Sequence, residues 1–272
     1  MLCTLGEILE WAKNKRCAVP AFNVYNAETV IGVAEAAKEM KAPIIIQIYS
    51  RLFDEINGSY AMACAKEAAH SLRTPVAIHL DHGAGMKEVV RALSLGASSI
   101  MIDASSQPLD ENIAITRSVV NMCKDLSLEV EGELGHIGMT SEGISDQLTD
   151  PDEALRFVSE TSVSALAVLI GNAHGRYKLP PKLNIERTRK IAEAVKIPLV
   201  LHGGTGIPDD QILAAVDVGV KKVNFGTDIC YAFLDALKCV PDSLYALDLV
   251  MKEPIESVKR YAISKIKLLE RL

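Results

Sequence analysis

The strongest constraint on the fold is an alternation that runs the length of the chain. Apolar runs of strand length recur, and each is followed by a longer segment of helical spacing. Runs at residues 18–24, 43–48, 75–81, 99–103, 128–134, 165–170, 197–201 and 222–225 predict eight strands. Helices are expected at 27–41, 61–71, 86–95, 110–125, from Pro151 onward, at 185–195 and at 209–218. In the first of these, Val30, Val33, Ala34 and Ala37 share one face. Pro151 suits a first helical position, where its missing N–H costs nothing. Residues 228–272 read as helical apart from a break at Val240-Pro241. Eight strands alternating with helices fit an α/β fold, a (β/α)8 TIM barrel, as a single domain over residues 1–272 with 240–272 as a C-terminal helical segment. A doubly wound open sheet is the rival, because periodicity does not show closure.

Composition narrows the function classes. With 29 Lys and Arg against 35 Asp and Glu, the net charge is −6, and no basic cluster offers the positive footprint of a nucleic-acid binder. An apolar content of 49% excludes a disordered chain. The apolar runs fall far short of the roughly 20 residues of a bilayer span. The first residues, Met1-Leu2-Cys3-Thr4-Leu5-Gly6-Glu7, lack the pattern of a secretion signal. Six cysteines are scattered without a CxxC pair, so they read as reduced thiols and the expected location is cytoplasmic.

Polar residues gather at the predicted strand ends, which in a barrel is where chemistry is placed. Asn23 follows the first strand, Asp81 and His82 the third, Asp103 the fourth and Glu133 the fifth. His174 follows the sixth and His202 the seventh, while Asn224, Gly226 and Thr227 close the eighth. A lone strand-end histidine is more often a hydrogen-bonding core residue than a ligand. Three at equivalent positions reverse that, because three protein ligands with an open position make a catalytic zinc site. Imidazole also suits cobalt, nickel or iron. His79, inside the third strand, reads as support for such a site, His70 as a surface residue, and His136 stays open between the two. Gly175, Gly203, Gly204, Gly206 and Gly226 fall on late loops, where barrels bind phosphate through backbone N–H groups and a helix N-terminus. Thr205 and Thr227 add hydroxyls, and Arg176 or Lys178 could add charge or face solvent.

These residues stand in an ordered series: Ala21-Phe22-Asn23-Val24, His79-Leu80-Asp81-His82-Gly83, Ser99-Ile100-Met101-Ile102-Asp103 and Glu131-Gly132-Glu133-Leu134-Gly135. Ala173-His174-Gly175, Leu201-His202-Gly203-Gly204-Thr205-Gly206-Ile207-Pro208 and Lys222-Val223-Asn224 follow. The series resembles the class II, zinc-dependent fructose-bisphosphate and tagatose-bisphosphate aldolases from the N-terminus to about residue 230. The resemblance implies a metal-dependent aldolase that reversibly cleaves a ketose bisphosphate to dihydroxyacetone phosphate and an aldehyde through a zinc-stabilised enediolate. By the same resemblance His82, His174 and His202 are metal ligands, and Glu133 offers the ion an alternative position. Asp81 becomes the acid/base residue at the aldehyde carbon, and Asn23 lies near the enediolate. Gly175, Gly203, Thr205, Asn224, Gly226 and Thr227 are expected to bind the phosphorylated donor. One Zn2+ per chain, a monovalent cation (Na+ or K+) near the phosphate and a homo-oligomer, dimer or tetramer, complete the family picture.

The sequence departs from that pattern in three places. The loop at 138–149 is short, and Glu142 is its only glutamate, so the enediolate proton transfer falls to it. Phe225-Gly226-Thr227-Asp228 replaces the usual residues after Asn224, which touches donor recognition. Ile48-Tyr49-Ser50-Arg51-Leu52-Phe53 departs where a loop could meet the far end of the substrate, and Arg51 could bind a second anion or face solvent. Two rivals follow. One is the same chemistry on a deoxy-keto acid phosphate or a sulfonated ketose. The other is a non-catalytic barrel subunit, which the intact Asp81 and three histidines oppose. No lysine at a strand end suggests a Schiff base. The stripe Ile255, Val258, Ala262, Ile266 and Leu269 is expected to pack either on the barrel or on a neighbouring subunit.

Overall fold

The computed structural model describes residues 1–53, 56–141 and 147–272. Parallel strands β1 (Val19–Asn23), β2 (Ile44–Tyr49), β3 (Val76–Gly83), β4 (Ser99–Ile102), β5 (Val130–Leu134), β6 (Ala165–Val168), β7 (Leu199–Leu201) and β8 (Val220–Phe225) close in chain order, with β8 paired back onto β1. The open-sheet rival is therefore excluded. Around the strands run α1 (Leu5–Lys15), α2 (Ala27–Met40), α3 (Asn57–Ser71), α4 (Met86–Leu95), α5 (Leu109–Lys124), α6 (Pro151–Thr161), α7 (Ile185–Val195), α8 (Asp209–Asp217) and α9 (Thr227–Lys238). A short α10 (Leu247–Val250) and a long α11 (Lys252–Glu270) end the chain.

Helix α1 is the element that strand periodicity does not predict. It starts on a capping box: Glu7 N donates to Thr4 Oγ1 at 3.3 Å and Thr4 N donates to Glu7 Oε2 at 2.8 Å. Its buried face, Leu5, Ile8, Leu9 and Ala12, joins Val19, Ala21, Ile45, Ala77, Ala165, Ala167 and Val200 in one cluster. These strand residues point inward, so α1 closes the end of the barrel where the strands begin. The alternate set, including Phe22, Ile46, Ile78 and Leu80, points outward into the helical layer. Each strand is thus buried on both faces, which is why the runs read as continuous hydrocarbon.

Along the axis the filling changes from small apolar side chains near α1 to polar ones toward the strand ends. His79, Glu131, Lys222 and His202 are all fully buried there. Outside, the stripe Val258, Ala262, Ile266 and Leu269 is fully buried within the chain, with α11 lying against α2, α9 and β1. That stripe therefore packs on its own barrel. The interruption between α9 and α10 spans residues 239–246, wider than the Val240-Pro241 break alone predicts. No helix among the described residues is long and apolar enough to cross a membrane.

Candidate metal centre and active site

At the C-terminal ends of the strands lies a cleft of about 340 Å³. It is lined by Asn23, Asp81, His82, His174, Gly175, Gly203, Thr205, Asn224, Gly226 and Thr227, ten of the residues singled out from the sequence. His202 and Glu133 are fully buried beneath it. Glu142 lies outside the described residues.

Asp81 and His82 both reach this cleft because β3 is bulged. Against β4, Leu80 pairs with Ile100 and Gly83 with Ile102, so two residues of β3 stand opposite Met101 alone. His82 absorbs the extra residue in the left-handed region at φ 50°, and its N–H donates to Met101 Sδ at 3.4 Å. His174 is set by its loop. Its N–H donates to Gly138 O at 2.9 Å, and its carbonyl accepts from Thr140 N at 2.8 Å.

The three imidazoles converge. Ring centroids of His82 lie 4.9 Å from His174 and 4.8 Å from His202, and His174 lies 5.6 Å from His202. A metal-binding nitrogen needs a lone pair, and the partners behind the rings decide which nitrogen keeps one. Asp103 Oδ2 sits 2.7 Å from His82 Nδ1, and Glu131 Oε1 sits 3.0 Å from His202 Nε2. Both carboxylates accept, so the opposite nitrogens, His82 Nε2 and His202 Nδ1, face each other at 3.1 Å. Two lone pairs at that distance repel, so a metal ion or, in its absence, a proton stands between them. His174 Nε2 is buried with no hydrogen-bond partner among the described residues. This donor set fits a divalent ion of the zinc type.

Glu133 offers a second arrangement, with His82 and Asp103 as companions. Its Oε1 accepts from Ser105 Oγ at 3.0 Å and Ile137 N at 3.1 Å, while Oε2 has no hydrogen-bond partner among the described residues. Burial, with Asp103 nearby, pushes its carboxyl up to about 8. Burial alone would lower His82, but Asp81, Asp103 and Glu133 outweigh it and raise the imidazole to about 10. Burial and then the charge on His82 push His174 down to about 4 and His202 well below the usual histidine value. The group thus holds a positive charge on His82, where carboxylates surround it.

Asp81 is held on one side only. Gln47 Nε2 donates to Asn23 Oδ1 at 2.9 Å, and Asn23 Nδ2 donates to Asp81 Oδ2 at 2.7 Å. Asp81 Oδ1 is buried without a hydrogen-bond partner among the described residues, 4.0 Å from His82 Nε2. Across the cleft the chain turns tightly at Gly203, whose φ is +65° and where a Cβ would meet Ala173 O at 2.0 Å. Thr205 Oγ1 accepts from Asp228 N at 3.3 Å, tying this loop to the start of α9.

Several residues outside the sequence reading support the site. Asn172 Nδ2 donates to His202 O at 3.1 Å. Tyr177 OH bridges Ala173 N at 2.7 Å and Ala173 O at 2.8 Å. Ser105 joins Asp103, Glu133 and His136, and His136 lines the cleft. Tyr49 stacks beside His82 at 5.6 Å, and the Arg51 guanidinium lies 5.2 Å from the Tyr49 ring centre, also on the cleft wall. Arg176 and Lys178 are exposed and do not line the cleft; Arg176 stacks over Tyr231. His70 is on the surface of α3. Lys222 is inside β8 and ion-paired with Glu131, not free at a strand end.

Known proteins share this architecture along its whole length. YdjI of Escherichia coli K12, described as uncharacterised, is 38% identical over 271 residues, covering 97% of each chain. The crystal structure of the YdjI aldolase from the same organism superposes with a TM-score of 0.90 at 36% identity, over 99% of this chain and 97% of that one. The fructose-bisphosphate aldolase of Campylobacter jejuni superposes with a TM-score of 0.80 at 25% identity, over 98% of this chain and 95% of that one. A family model described as fructose-bisphosphate aldolase class-II matches residues 3–271. The chain therefore belongs to the class II fructose-bisphosphate aldolase family.

Proposed function

We propose that the protein is a zinc-dependent aldolase that reversibly cleaves a ketose phosphate to dihydroxyacetone phosphate and an aldehyde. Fructose or tagatose 1,6-bisphosphate is the default substrate. The observation that carries this reading is the meeting of His82, His174 and His202 at the cleft beside Oδ1 of Asp81, which has no hydrogen-bond partner among the described residues.

A divalent ion held by the three histidines would supply a Lewis acid for the negative charge that carbon–carbon cleavage leaves on the donor fragment. The remaining chemistry belongs to the chain. Asp81 takes the proton from the hydroxyl on the carbon that becomes the aldehyde, and returns it when the bond forms. Asn23, held by Gln47, keeps Oδ2 of Asp81 occupied and leaves Oδ1 for that proton. The second proton transfer, to the donor carbon, is assigned to Glu142. Gly175, Gly203, Thr205, Asn224, Gly226 and Thr227 bind the donor phosphate with the N-terminus of α9, fixing the reacting carbons at a distance. A monovalent cation near this phosphate, a homo-oligomeric state and a cytoplasmic location belong to the same proposal.

A second reading keeps the mechanism and changes the aldehyde end. Arg51 lines the cleft and forms no ion pair among the described residues, so a carboxylate or sulfonate could replace the second phosphate. Metal content of the purified protein, followed by aldehyde release from phosphorylated, non-phosphorylated, carboxylated and sulfonated ketoses, tests both. Cleavage that survives complete removal of metal would sink the mechanism.

A further inference from the structure

Beneath the three histidines the barrel axis carries charge where hydrocarbon is the usual filling. Lys222 on β8 places Nζ 2.9 Å from Glu131 Oε2 and 3.2 Å from Glu131 Oε1. Glu131 Oε1 is 3.0 Å from His202 Nε2. His79 completes the group, with Nδ1 2.5 Å from Ser99 Oγ and Nε2 3.6 Å from Glu131 Oε2. All four charged or ring side chains are fully buried.

The cleavage chemistry does not use Lys222, which is absent from the cleft wall. Stability explains it poorly too. Desolvating two charges costs about as much as their attraction returns, and apolar residues of equal volume often serve as well. Geometry supplies a better reason. A carboxylate approached by one ammonium at both oxygens loses its freedom to rotate, and its Oε1 stays aimed at His202. An acceptor at that point requires the ring proton on Nε2 and leaves Nδ1 with its lone pair. Nδ1 is the atom that faces His82 Nε2 at 3.1 Å.

We propose that Lys222 is a positioning residue for the metal centre: by clamping Glu131 it fixes the orientation and tautomer of His202, and so sets the affinity of the three-histidine group for a divalent ion. The inference rests on the metal reading above. Lys222 touches neither substrate nor ion; it acts two side chains away.

The test compares the wild type with Lys222→Met. Zinc affinity is measured by competition with a chromophoric chelator, metal-free stability by thermal unfolding, and the His202 tautomer by ring 15N shifts of histidine-labelled, metal-free protein. The expected result is zinc binding weakened about 10- to 100-fold, with mixed tautomers at His202. A purely structural lysine would shift the metal-free unfolding temperature and leave affinity and tautomer at wild-type values, which overturns the proposal. If Lys222→Met does not fold, the double variant Glu131→Gln, Lys222→Met removes both charges and keeps an amide free to present oxygen or nitrogen to His202. Weakened zinc binding with mixed His202 tautomers there supports the Glu131–His202 link through which the clamp acts, and wild-type affinity overturns it. A wild-type chain that takes up no zinc overturns the metal reading itself, whereas normal uptake with unaffected variants overturns only the clamp.

Discussion

Asp81 and His82 are consecutive in the chain and yet face the same cleft, an arrangement that an unbroken strand forbids because its side chains alternate. The β3 bulge resolves the conflict by turning His82 through φ 50°. Gly83 makes the return possible, since a Cβ there would meet Met101 O at 2.6 Å. A carboxylate is thereby placed 4.0 Å from the ring nitrogen of its own neighbour.

Asp81→Asn separates the two functions of this pair. The amide oxygen can still accept from Asn23, so the fold and the three-histidine group should stay intact. Turnover should fall about 10²- to 10⁴-fold, the usual contribution of general acid–base catalysis. Cleavage kinetics beside metal content per chain checks this; loss of metal together with activity would place Asp81 among the ligands.

The metal-free protein should lose stability as pH rises from about 6.5 to about 10. His82 is raised to about 10, so the folded chain holds a proton there that the unfolded chain has released. That stabilisation is fully present below the unfolded histidine value and disappears as pH passes the folded one. Glu133, raised to about 8, acts in the same direction from its ordinary carboxylate value upward. Bound metal replaces the His82 proton, so the zinc-loaded protein should show a flatter profile and zinc uptake should release protons. Thermal unfolding against pH, with and without zinc, reads both; parallel profiles would contradict the assignment of His82 as a ligand.

The barrel and the cleft were legible in the sequence for one reason: strand ends that break a hydrocarbon run with Asp81, His82, His174 or His202 can be located by counting. The supporting residues were not, because their roles depend on contacts across the barrel. Gln47, Glu131 and Lys222 do interrupt apolar strands, which signals an inward-facing polar layer, but nothing local says that Lys222 reaches Glu131 or that Gln47 reaches Asn23. Ser105 and Asn172 sit in loops where such residues are ordinary. Helix α1 carried a readable signal in Thr4 and Glu7, one that strand counting passes over.

Gly203→Ala should damage phosphate binding and stability together. The position needs φ +65° and leaves a Cβ 2.0 Å from a main-chain oxygen, which cannot move aside as a side chain could. The backbone strain alone costs about 1–3 kcal/mol, and relief requires the loop carrying Thr205 to shift. A lowered unfolding temperature and a raised KM for phosphorylated ketoses are expected. An unchanged KM would remove this loop from the phosphate site.

Arg51→Met tests the far end of the substrate. The variant removes the guanidinium, and with it the contact over the Tyr49 ring, while the Tyr49–His82 ring contact involves neither of the exchanged atoms. For ketoses that carry an anion at the aldehyde end, KM should rise about tenfold, the scale of one charge-assisted contact at a partly solvated site. Ketoses without that anion should be cleaved as by the wild type, since Asp81 and the three histidines are untouched. The comparison between phosphate, carboxylate and sulfonate at that end then orders the candidates, because a planar carboxylate matches the guanidinium fork in two parallel hydrogen bonds while tetrahedral groups offer three oxygens to it. Equal KM changes for charged and uncharged substrates would mean that Arg51 shapes the cleft wall and reads no anion.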